Sequence, residues 1–215
     1  MHFPNESHEY REARNQLLQQ EIELRRLTEK VAQQRRELPP GGEIPEDYIF
    51  HGDGPVKLSE LFGDKSTLAI YSYMYGPEKK RPCGMCTPLL DGLNGVNDHM
   101  QQRLSFVVVA DSASDRLRAF IQERRWNLRL ISSAGTTYNK DYHGITDKGY
   151  EDTMLNIFKK EGNTVRHFWG MEIRDAPKDK GQDHRAVDIL NPIFNMFDLT
   201  PEGRGDFYTK IYYQL

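Results

Sequence analysis

The chain has 215 residues, with 29 Lys and Arg against 32 Asp and Glu, and a net charge of -3. That length suggests one domain with an appendage, or two small domains, and it is enough to bury a proper core. The slightly acidic balance offers no electrostatic case for nucleic acid, and two cysteines are too few for a secreted disulfide scaffold. Met1-His2-Phe3-Pro4-Asn5-Glu6 lacks the apolar stretch of a secretory signal, and no apolar run approaches the ~20 residues that span a bilayer. A cytoplasmic protein with no membrane or nucleic-acid partner is expected, its thiols kept reduced except when they react.

Residues 7–38 carry one long helical pattern. Ser7 suits the N-cap, and Glu9 and Glu12 suit the positive end of the helix dipole. Pro39-Pro40-Gly41-Gly42 stops the helix. Tyr10, Leu17, Leu24, Val31 and Leu38 recur every seven residues and Leu27 adds a second position, which Gln20 and Gln34 occupy elsewhere. Such a half-filled seam fits either a coiled-coil arm that makes a homodimer or an amphipathic helix laid on its own domain. The Arg25-Arg26 and Arg35-Arg36 pairs read as a solvated face. The expected division is residues 1–40 as an N-terminal amphipathic helix and 44–215 as the globular domain.

Tyr48-Ile49-Phe50 is a short strand candidate, Gly52-Asp53-Gly54-Pro55 a turn, and Leu58 to Gly63 a short helical turn. Residues 67–75 are apolar on both faces and read as a central strand. A helix follows over 84–103, its apolar face made by Leu89, Leu90, Leu93, Val96 and Met100. Residues 104–110 form the clearest buried strand. Asp111 or Ser114 can cap a helix over 115–125, and 127–132 is another strand. Strands alternating with helices imply parallel pairing through right-handed crossovers. A long polar loop, 133–152, precedes a hairpin of residues 154–159 and 164–169 about Glu161-Gly162-Asn163. Residues 174–185 are a charged loop, and 187–197 a short helix interrupted by Pro192. Trp169 and the tyrosines at 138, 142, 208, 212 and 213 are read as core or rim, since no basic stripe accompanies them.

The only cysteines stand in Pro82-Cys83-Gly84-Met85-Cys86-Thr87. A C-x-x-C beside a βαβ pattern reads as a thioredoxin-like redox motif. A thiol at a helix start meets unpaired N–H groups and the positive dipole end, which favour thiolate. Cys83 is therefore the expected nucleophile and Cys86 the expected resolving thiol; no cofactor is expected. Arg81 and the more distant Arg166 are candidate thiolate stabilisers, and Arg204 a candidate anion clamp or part of a C-terminal lock.

The order of these elements is similar to the thioredoxin fold, and the whole chain resembles the bacterial thioredoxin-like domain-of-unknown-function family numbered 899. The resemblance rests on the N-terminal helix ending in Leu38-Pro39, Tyr48-Ile49-Phe50, Leu58-Ser59-Glu60-Leu61-Phe62 and Tyr73-Met74-Tyr75-Gly76-Pro77. Cys83-Gly84-Met85-Cys86, Val107-Val108-Val109-Ala110, Ile131-Ser132-Ser133-Ala134-Gly135 and residues 198–205 complete it. It implies an α/β, thioredoxin-like three-layer sandwich with a long N-terminal helix. The chain departs from related patterns in three places. Pro82 and Met85 replace the tryptophan and proline around a thioredoxin motif. No proline lies between Pro88 and Pro177, so Thr153 or Met154 takes the place of the proline that faces the cysteines. Lys80 stands where a peroxiredoxin has threonine, three residues before the reactive cysteine.

Three functions stay open. One is thiol–disulfide or peroxide-type redox chemistry through Cys83 and Cys86, with a protein or small-molecule thiol or disulfide partner. Another is a copper-chaperone-like metal module that adds His143 to the two thiols; His167 and His99 read as structural and solvated. The third is a non-catalytic scaffold with inert cysteines.

Overall fold

Five of the six residues of β3 (Thr67–Ser72) are buried, as are all six of β4 (Ser105–Ala110). A strand covered on both faces belongs in the middle of a sheet. In the computed structural model, which describes residues 1–183 and 185–212, both strands lie there. Around them are β1 (Ile49–His51), β2 (Pro55–Lys57), β5 (Arg129–Ser132), β6 (Met154–Glu161) and β7 (Thr164–Gly170). The sheet order is β2-β1-β5-β4-β3-β6-β7. β4 runs parallel to β3 and β5, whereas β6 is antiparallel to β3 and β7.

α2 (Cys86–Met100) connects β3 to β4, and α3 (Ser114–Arg124) connects β4 to β5. The strands step in one direction, so right-handed crossovers put both helices on one face. There Leu89, Leu90 and Leu93 of α2 and Leu117 and Phe120 of α3 join Ala69, Tyr71, Tyr73 and Val108 in one core. On the other face Ile70, Val107 and Val109 join Leu58, Leu61, Phe62 and Tyr138. The result is the expected α/β, thioredoxin-like three-layer sandwich. Its third layer is built from short turns, a 3-10 turn at Leu58–Glu60 and α4 (Tyr138–Asp141).

Several expectations are corrected in detail. The central strand stops at Ser72, short of Tyr75. Pro55, read as the end of a turn, opens the edge strand β2, which runs on through residues 56 and 57. Val96 is exposed, and Asn97 takes its place on the buried face of α2, donating to the Asn127 carbonyl at 3.2 Å. Neither Asp111 nor Ser114 caps α3; the Ser114 hydroxyl donates to the His51 carbonyl. Pro192 begins α5 (Pro192–Phe197) rather than interrupting it, with Asn191 accepting from the Ile193 amide at 3.1 Å. Proline at the first helical position loses no bond, because that N–H is unpaired in any helix.

The chain divides into two compact units, and the first, Met1–Pro40, is built on α1 (His8–Arg36). Ser7 caps α1 by accepting from the Tyr10 amide at 3.1 Å. Arg14–Glu21, Arg26–Glu23 and Arg36–Glu29 ion pairs line the helix, as a solvated face requires.

In the second unit, which starts at Gly41, the loop of residues 133–152 is tied to the sheet through polar side chains. Ser72 of β3 donates to Asn139 at 3.2 Å, and Asn139 donates to Ser133 at 2.8 Å. Gly144 closes over this pair. A Cβ there would stand 2.6 Å from the Asn139 oxygen and 2.7 Å from the Ser72 oxygen. Trp169 is half-buried, Tyr138 is buried, and Tyr208 and Tyr212 are exposed. Tyr213 and His184 lie outside the described residues. Gly144→Ala is expected to destabilise the protein by about 1–3 kcal/mol, the usual cost of overpacking. Denaturant unfolding measures this; an unchanged midpoint would contradict the packing.

Candidate active site

Cys83 does not sit at the end of β3. A loop of residues 73–85 separates the strand from α2, and the loop is pinned from α3. The Arg116 guanidinium donates to the Gly76 carbonyl at 2.9 Å and to the Lys79 carbonyl, and it lies 4.0 Å from the centre of the Tyr75 ring. The Glu151 carboxylate covers Gly76, where a Cβ would meet it at 2.6 Å, and pairs with Lys79 at 3.6 Å. At the far end of the loop the Cys83 amide donates to the Met74 carbonyl at 3.0 Å.

The first turn of the helix is then closed on Cys83. Its carbonyl accepts from the Thr87 amide at 3.1 Å and from the Thr87 hydroxyl at 2.7 Å. The Thr87 hydroxyl also lies 2.7 Å from the Tyr73 hydroxyl. The threonine has one proton and the carbonyl only accepts, so Tyr73 donates to Thr87. A buried chain therefore runs from Tyr73 through Thr87 to the Cys83 backbone. The Cys83 sulfur accepts from the Cys86 amide at 3.3 Å. Both thiols are free; Cys83 is partly exposed and Cys86 is 5% exposed.

The two thiols titrate in opposite directions. Hydrogen bonding from the Cys86 thiol outweighs burial, and the Cys86 and Met85 amides and the Lys79 charge add to it, so Cys83 is held down at about 6. Cys86 is pushed well up, because its thiol donates a hydrogen bond to the Cys83 sulfur and is buried beside that negative charge. Tyr71, fully buried in β3, faces Cys86, and burial pushes its phenol well above the ordinary range. A phenol kept neutral can donate to a sulfur that loses its proton.

Other expected residues are distributed differently. The Arg81 guanidinium lies 4.2 Å from the centre of the Tyr212 ring. Arg166 is committed elsewhere, donating to the Gly41 carbonyl at 3.3 Å and pairing with Glu43. Arg204 donates to both Asp188 and Asp198, with bonds of 2.6–3.1 Å, so it serves the C-terminal lock rather than an anion. His167 bonds Asn156 at 3.0 Å between the Tyr142 and Phe158 rings; burial lowers its pKa. His99 is exposed. The His143 carbonyl accepts from Arg174, which also holds the Thr153 carbonyl just before β6. No peptide bond among the described residues is cis, and no three His, Cys, Asp or Glu side chains among them come together as metal ligands.

Sequence reasoning missed Tyr71, Tyr73, Thr87 and Lys79. The tyrosines carried a signal, since residues two apart in an extended chain share a face. The Lys79 charge acts on Cys83 only through the fold of the loop.

A family model described as a bacterial protein of unknown function, DUF899, matches residues 1–214. No curated protein matches the chain in sequence. Among solved structures, a peroxiredoxin-like protein from Aquifex aeolicus is 17% identical, with 62% of this chain and 75% of that one covered at a TM-score of 0.44. A PrxQ mutant from Xylella fastidiosa is 15% identical over 74% of this chain and 98% of its own, with a TM-score of 0.47. A putative protein disulfide isomerase from Bacteroides thetaiotaomicron is 16% identical over 74% and 91%, with a TM-score of 0.42. At such identities and scores these likenesses carry no argument about chemistry.

Thr87→Val is expected to cost about 1–3 kcal/mol, because it strands the buried Tyr73 hydroxyl. Adding Tyr73→Phe removes the stranded group and recovers part of that loss. Denaturant unfolding of the two single variants and the double variant measures the coupling; strictly additive costs would contradict the chain of bonds.

Proposed function

Because the chain belongs to DUF899, a bacterial family of unknown function, its chemistry has to be read from its own residues, and we propose that it is a thiol–disulfide redox protein. Cys83 is the nucleophile and Cys86 the resolving thiol. The observation that carries this reading is the asymmetry of the pair. The partly exposed sulfur accepts an amide at 3.3 Å, while its partner three residues on is buried. A metal module would need a third ligand, and the histidine expected to supply it is not grouped with the thiols.

In the forward step the Cys83 thiolate attacks one sulfur of a substrate disulfide. The substrate S–S bond breaks, and the departing thiolate takes a proton from solvent. Cys86 then gives up its proton and attacks the Cys83 sulfur. The mixed disulfide breaks, the second substrate thiolate leaves and is protonated, and a Cys83–Cys86 disulfide remains. Two electrons pass from the protein to the substrate; of the two protons the substrate thiolates take up, one comes from solvent and the other balances the proton that Cys86 gives up. The reverse sequence, driven by a dithiol, restores the reduced protein. The low pKa of Cys83 keeps the attacking thiol ionised at neutral pH, and the hydrogen bond to Cys83, with burial, keeps Cys86 protonated until the mixed disulfide forms.

The pH dependence follows from the sign of the Cys83 shift. With its pKa depressed, the thiolate is present at neutral pH and is lost as the pH falls through about 6. Alkylation of Cys83 should therefore follow a midpoint near 6, against about 8.5 for an ordinary thiol. Cys86→Ser should accumulate a mixed disulfide with substrate, and Cys83→Ser should form none. Mass spectrometry after timed alkylation reads both. Alkylation no faster at pH 7 than for a free-thiol peptide would overturn the assignment.

A further inference from the structure

Gly84 and Met85, the two residues between the cysteines, are covered by the C-terminal segment of the second unit. The Tyr208 ring lies on Gly84, where a Cβ would meet its Cε1 and hydroxyl oxygen at 3.0 Å. This packing calls for glycine beside Cys83. The Thr209 hydroxyl donates to the Met85 sulfur at 3.4 Å.

The covering segment is held at both ends. Upstream, Arg204 is locked to Asp188 and Asp198. Downstream, Ile211 is 9% exposed and its carbonyl accepts from Arg124 at 2.6 Å. Arg124 itself pairs with Asp91 of α2, which also accepts from the Trp126 indole at 2.7 Å. Beyond it the Tyr212 ring lies under Arg81. Between these anchors the Phe207 ring packs on Phe197, 4.8 Å between ring centres, and Tyr208 and Thr209 carry the contacts to the cysteine loop. Tyr208 is 67% exposed, and Gly203 and Gly205 take positive φ angles upstream of it. Residues 207–212 thus form a strap across the backbone next to the partly exposed sulfur of Cys83.

We propose that Tyr208 and Thr209 determine specificity by occupying the surface that a polypeptide must reach to form a mixed disulfide with Cys83. Small disulfides react with the strap seated, and protein disulfides react only when it lifts. This rests on the redox reading of the cysteine pair. A small disulfide needs only one sulfur placed in line with the Cys83 thiolate. A polypeptide brings backbone and side chains on both sides of its cystine, and on one side these meet Tyr208. If the strap is open about a tenth of the time, a substrate that needs it open is slowed about tenfold.

The test uses the full-length reduced chain and its Tyr208→Ala/Thr209→Ala variant. Each is reacted with the disulfide of 2-mercaptoethanol and, separately, with insulin, and formation of the Cys83–Cys86 disulfide is timed by mass. The variant should gain about tenfold with insulin and change less than about twofold with the small disulfide. Rates that rise or fall together for both substrates, or do not change for either, overturn the strap's role while leaving the redox reading in place. A wild-type chain inert to the small disulfide overturns the redox reading, and the strap's role with it.

Discussion

The first turn of α2 is closed on a single residue. Cys83 gives its carbonyl to the Thr87 amide and hydroxyl, while its sulfur accepts from the Cys86 amide. The position of the sulfur is therefore fixed by bonds that also start the helix. A helix start exposes unpaired N–H groups, and here one of them is spent on sulfur. The surrounding structure serves that arrangement. β3 and β4 supply a rigid floor, Tyr73 braces Thr87, and Arg116 holds the loop that delivers Cys83 to the helix. Loosening that turn would remove the difference between the two thiols.

The difference is one of environment, since both groups are the same chemically. Cys83 is partly exposed, beside amides and near Lys79; Cys86 is buried and hydrogen-bonded to its partner. Pairs whose surroundings drive their pKa values apart are the usual sign of divided roles. Tyr71 extends the pattern inward with a neutral hydroxyl behind the resolving thiol.

Much of the fold was legible because the strands announce themselves. The apolar runs at 67–72 and 105–110 have no polar face, so they had to be central, and the helices between them had to make parallel crossovers. The cysteine pair was legible from its spacing. What stayed hidden depends on contacts distant in sequence. Arg166 and Arg204 could not be assigned from charge alone, since any carboxylate the fold brings near claims a guanidinium; Glu43, Asp188 and Asp198 do so. Val96 and Asn97 exchanged places because a single buried amide found a carbonyl 30 residues on. The glycine between the cysteines reads from sequence as the first residue of a helix; in the fold it lies before α2 and is the seat of Tyr208.

The central claim is that Cys83 and Cys86 interconvert between dithiol and disulfide as one unit. Equilibration of the full-length chain in buffers of graded thiol–disulfide ratio, followed by alkylation and mass measurement, tests it most directly. The expected result is one two-electron transition between a doubly alkylated species and an unalkylated one carrying an intramolecular disulfide, reversible from either end. Two thiols that persist across the whole series, or that form only disulfides between chains, would contradict it.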